Sequence, residues 1–66
     1  GHARVARRAL EAAGKPLHVT DLIAAVEKEF GVILDRDSLS SALGKQVHKE
    51  RRFVRMAPNT FGLRQT

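Results

Sequence analysis

A chain of 66 residues without cysteine has room for one small core and nothing covalent to staple it. A disulfide framework and a thiolate metal site are thereby excluded, and no apolar run is long enough to span a bilayer. The formal charge of +5 suits a polyanionic partner.

That charge is segregated along the chain. Residues 1–19 carry Arg4, Arg7, Arg8 and Lys15 against Glu11, a balance of +3. Residues 20–39 carry Lys28 and Arg36 against Asp21, Glu27, Glu29, Asp35 and Asp37, a balance of −3. Residues 40–66 carry Lys45, Lys49, Arg51, Arg52, Arg55 and Arg64 against Glu50, a balance of +5. Such blocks favour a nucleic-acid partner for the basic end and a protein partner for the acidic middle. Gly1 and His2 read as the remnant of a cleaved tag, which leaves a single domain over residues 3–66. No signal peptide is visible, so an intracellular, soluble and monomeric domain is expected, with no membrane role.

Taken in order, the chain predicts a first helix over Ala3–Ala13, with Val5, Ala6, Ala9, Leu10 and Ala13 as its apolar stripe. Gly14 stands where a left-handed cap belongs, and Pro16 forbids continuation. Residues 16–19 read as a brief extended segment. Thr20 is the expected N-cap of a second helix, with Asp21 in the first turn and Leu22, Ile23, Val26 and Phe30 inward. Gly31 supplies the second C-cap, and Val32, Ile33 and Leu34 are expected to tuck beneath the sheet or between the second and third helices.

The third helix is predicted from Asp35 to Lys49, with Asp35 as cap and Asp37 complementing the dipole. Leu39, Ala42, Leu43, Gln46 and Val47 form its inner stripe. Turning by about 100° per residue puts Asp37, Ser41, Gly44, Lys45 and His48 outside, a face of small and basic groups. Two strands follow, over 52–56 and 60–64, joined by a turn at Ala57, Pro58, Asn59 and Thr60. Phe53 is assigned to the core, the inward phase of Val54 and Met56 stays open, and all three phenylalanines are expected inside.

Three helices, a short strand after the first and a terminal hairpin make a mostly α winged helix-turn-helix, in which the third helix enters a DNA groove and the hairpin flanks it. Ser41, Lys45 and His48 on that helix, with Lys49, Arg51, Arg52 and Arg55 leading into the wing, are the candidate DNA contacts. His18 reads as a local hydrogen-bonding partner. Nothing resembles a catalytic nucleophile with its base, a phosphate loop or a metal-ligand spacing, so neither enzyme activity nor a cofactor is expected.

The pieces GKPLHVTDL, DSLSSAL, RRFVRM and PNTFGLR stand in an order and spacing that resembles the HARE-HTH family of winged-helix domains. The likeness runs from about Ala9 to Arg64, and the wing is also similar to that of the N-terminal domain of the bacterial RNA polymerase delta subunit. Asp35 stands where many HARE-HTH members have proline, and Asn59 where many have glycine. The resemblance implies an accessory module that targets a larger protein to duplex DNA in a nucleoid or nucleus. The delta likeness implies the alternative, docking to transcription or chromatin proteins through the acidic second helix.

Overall fold

In the computed structural model, which describes residues 2–49 and 52–64, the first helix, α1, spans His2–Ala13. Ala6, Ala9 and Leu10 are its buried side, and two alanines there let neighbouring helices approach closely. Gly14 closes α1 in the left-handed region (φ 68°), its N–H donating to the Leu10 carbonyl at 3.0 Å. The chain turns away at that cap, so Ala13, expected in the stripe, is exposed.

Strand β1 (Leu17–His18) leads directly into α2 (Val19–Phe30). Here the structure corrects the expected cap. Val19 already begins the helix, because its N–H donates to the Asn59 carbonyl at 2.7 Å. The next N–H, that of Thr20, donates to His18 Nδ1 at 3.1 Å. His18, held extended by its strand (φ −66°, ψ 150°), is therefore the N-cap, and Thr20 lies inside the first turn. Tertiary pairing has moved the helix start ahead of the residue with the better capping propensity.

Val19, Leu22 and Val26 are the buried row of α2. Phe30 was expected to extend it but is 39% exposed, since the last turn runs past the end of the packed stripe. Gly31 caps α2 in the left-handed region, donating to Glu27 at 2.9 Å. Of the connection that follows only Leu34 is buried, while Ile33 is 80% exposed and Val32 38%. Adjacent residues of an extended segment point to opposite sides, so burying Leu34 sends Ile33 outward. This too differs from the sequence expectation.

Helix α3 spans Arg36–Lys49. Its start is fixed by Asp35, whose carboxylate accepts the Ser38 N–H at 3.1 Å and whose carbonyl accepts that of Leu39 at 2.9 Å. Leu39 and Leu43 are fully buried, and Val47 packs partly against them.

Strands β2 (Phe53–Ala57) and β3 (Thr60–Leu63) form the hairpin. The three-stranded antiparallel sheet has the order β1-β3-β2. Leu17 pairs with Phe61 and His18 with Thr60, while Phe53, Val54 and Arg55 pair with Leu63, Gly62 and Phe61. Pro58 followed by a left-handed Asn59 (φ 58°) has the signature of a type II turn. Such a turn splays a two-residue hairpin, and the register shift between Arg55 and Ala57 absorbs the mismatch.

Phe53 and Phe61 close the core beneath the helices. Val54 is half-buried and Met56 is 59% exposed, both on the other sheet face. On that face Pro16 lies against Gly62: a Cβ at Gly62 would meet Pro16 Cγ at 3.0 Å. The architecture is a winged helix-turn-helix, as the sequence predicts.

Two glycine substitutions are expected to act in opposite directions. Gly62→Ala forces a contact with the Pro16 ring and backbone and should cost about 1–3 kcal/mol in urea unfolding. Gly44→Ala meets nothing within 4 Å and should stabilise by about 0.5–1 kcal/mol through helix propensity. Equal signs would contradict this packing. Thermal melts of His18→Ala should show a loss of about 1 kcal/mol, whereas an unchanged melt would remove the capping role.

Candidate nucleic-acid interface

The buried leucines decide which side of α3 looks outward. With Leu39 and Leu43 turned into the core, Ser41, Lys45 and His48 fall within about 60° of one another on the opposite side, and all three are exposed. Lys49, also exposed, lies about 40° beyond Lys45 around the helix. The same face carries Asp37 in its first turn and His48 and Lys49 in its last. Its charge thus runs from acidic to basic in the sense that the helix dipole favours, which by itself stabilises α3 by roughly 0.3–1 kcal/mol per well-placed charge.

Beside this face the hairpin forms the second wall of a recess of about 160 Å³. Ser40, Gly44, Val47 and His48 line it from α3, and Arg55, Asn59 and Phe61 from the wing. Gly44 is central to its shape. A side chain there would occupy the recess, since no protein atom stands within 4 Å of the place its Cβ would take. Arg55 reaches the recess because it shares a strand face with buried Phe53 and pairs with Phe61. The wing turn cannot drift away, because its Asn59 carbonyl is tied to the first amide of α2. Helix α3, the turn and the start of α2 are thereby held as one surface.

The expected contacts do not all converge. Ser41, Lys45, His48 and Lys49 share the outer side of α3. Of these His48 alone lines the recess, with Arg55 on its other wall, while Lys45 and Lys49 lie around the helix away from it. Arg51 lies outside the described residues. Arg52 accepts, through its carbonyl, the Arg64 N–H at 2.8 Å, which extends the β2–β3 ladder by one pair. Alternation then puts the Arg52 and Arg64 side chains on the Val54 face, away from α3. The basic run from Lys45 to Arg55 is therefore split between two faces.

Sequence reasoning missed Ser40 and Asn59 as recess residues. Ser40 was legible in principle, since Ser40, Gly44 and His48 recur every four residues along α3. Asn59 reads from sequence only as turn chemistry.

Among the described residues the ion pair present is Arg7 Nε to Glu11 Oε2, 3.7 Å apart on the surface of α1. Lys45, Lys49 and Arg55 have no such carboxylate partner among them. The described residues hold no group of three potential metal ligands, and none of their helices is long and apolar enough to cross a membrane. What the surface offers is fixed positive charge, hydroxyl and amide donors, and a narrow recess between α3 and the wing.

Against known families, residues 3–66 match the HARE-HTH model, described as an ASXL, restriction endonuclease HTH domain. No curated protein and no solved structure matches the chain.

Proposed function

The chain belongs to the HARE-HTH family of DNA-binding helix-turn-helix domains, and on that footing we propose that it is a duplex-DNA accessory module, not an enzyme, that brings a larger protein to DNA through α3 and the wing. The observation that carries this is the exposed outer side of α3 with Ser41 and Lys45, flanked by a recess at Gly44 that His48 and Arg55 line from α3 and the wing. Lys45 and Arg55, without carboxylate partners among the described residues, stand on two connected elements and suit two successive phosphate rows, with the outer side of α3 in the groove between them. Ser41 and Lys45 are the residues for base edges, whereas Lys49 and Arg55 suit phosphates. Transcriptional or chromatin regulation, on nucleoid or nuclear DNA inside the cell, is the setting such a module serves.

A second reading, protein docking with little DNA affinity, is favoured by one observation. Ile33, 80% exposed, stands at the end of an α2 whose Asp21, Glu27 and Glu29 are all exposed. A partner retained by the domain after nuclease treatment, with no duplex shift, would support that reading over the first.

Titration of a labelled duplex at several salt concentrations tests the DNA reading. Neutralising about four phosphates gives a logarithmic salt slope of roughly −3.6. Lys45→Glu and Arg55→Glu should each weaken binding by about tenfold while the circular-dichroism spectrum stays unchanged; Arg52→Glu, on the other face, should weaken it by less than about threefold. Absence of binding at low salt removes the proposal, and a larger loss for Arg52 than for Lys45 moves the contact to the other side of the sheet.

A further inference from the structure

The face of the wing turned away from α3 carries a groove that DNA binding through α3 leaves unused. Its volume is about 720 Å³, within the range of sites that hold ligands. Leu10, Pro16, Val54, Met56 and Leu63 supply apolar walls, and Lys15 and Arg64 stand among them. Arg52 is Arg64's ladder neighbour on this face. The groove's one carboxylate, Glu11, has its charge offset by Arg7 at 3.7 Å. The site is thus apolar at the centre and cationic at the rim.

The same molecule presents the complement. Ile33 projects from the α2–α3 connection at 80% exposure, and its chain neighbours Phe30 and Val32 are exposed at 39% and 38%. The surrounding residues 27–37 carry Glu27, Glu29, Asp35 and Asp37 against Lys28 and Arg36, four carboxylates to two cations and a balance of −2. An apolar knob with an acidic collar matches an apolar groove with a basic rim in polarity and in the sign of its charge.

Position completes the case. The groove includes Gly14, Lys15 and Pro16, just before β1 and the start of α2. The knob follows the end of α2, and twelve helical residues separate the two by about 18 Å. Within one chain the two surfaces are too far apart to meet, and a contact using one leaves the other open. We propose that the Ile33 knob of one copy docks in the Lys15–Arg64 groove of the next, a heterologous head-to-tail contact that extends into an open chain rather than closing as a dimer.

Each copy carries +5, but repulsion between the net charges is screened beyond about 8 Å at physiological salt, while the knob and groove charges meet at contact distance. The contact is small and therefore weak, with a dissociation constant on the order of 1 mM. It does not depend on the DNA reading, and its test contains no DNA.

The test uses two variants that permit one contact only. Isotope-labelled Ile33→Ser retains the groove and lacks the knob. Unlabelled Lys15→Glu/Arg64→Glu retains the knob and lacks the groove. Adding the second to the first should produce saturable amide shifts at Lys15, Val54, Leu63 and Arg64, and dispersed spectra verify that both variants are folded. Adding unlabelled Lys15→Glu/Ile33→Ser/Arg64→Glu should produce none. No groove shifts with the knob-bearing variant, or equal shifts with the triple variant, would overturn the proposal. Groove shifts seen solely with a synthetic peptide of alternating glutamate and leucine would overturn it too, in favour of a foreign acidic partner.

Discussion

One backbone hydrogen bond sets the geometry on which the rest depends. The Asn59 carbonyl at the wing turn accepts the N–H of Val19 at the head of α2, and the pairing of Leu17 with Phe61 continues that junction into the sheet. A two-stranded hairpin alone is marginal in water. Joined to β1 it becomes part of a three-stranded sheet with β3 at the centre, and its turn is fixed against the helix-turn-helix unit. That is why Arg55 and Asn59 stand opposite Gly44 and His48 at a set distance instead of waving beside them. The left-handed conformation of Asn59 and the register shift before it are the local distortions this closure requires.

Charge is then distributed by the same geometry. Because the ladder continues through Arg52 and Arg64, strand alternation deals successive arginines to opposite faces. Arg55 joins α3; Arg52 and Arg64 join Lys15 behind the sheet. A basic run that reads as one stripe in sequence becomes two surfaces in space, one flanking a recess and the other rimming an apolar groove. The first surface suits phosphates, which need charge and reach. The second has apolar walls that phosphates would leave wet, so a different occupant suits it.

Much of this was legible beforehand, and the failures share a cause. The three helices and the hairpin follow from apolar periodicity, two capping glycines, Pro16 and the turn at Pro58 and Asn59. Leu39, Leu43, Phe53 and Phe61 were assigned inward and are buried. What could not be read depends on pairing between distant segments. His18 displaces Thr20 as the cap because Asn59, forty residues away in sequence, claims the amide between them. Ile33 and Phe30 look like core residues because they are apolar, but burial depends on where the neighbouring elements end. The side of the sheet on which each arginine falls depends on a register that sequence leaves open at Val54 and Met56.

The most direct measurement is amide chemical-shift mapping during titration with a short duplex at low salt. Perturbations concentrated at Ser41, Lys45, His48, Arg55 and Asn59, with Val54, Leu63 and Arg64 quiet, are what the α3–wing surface predicts. Perturbations concentrated behind the sheet, or none at all, would contradict it.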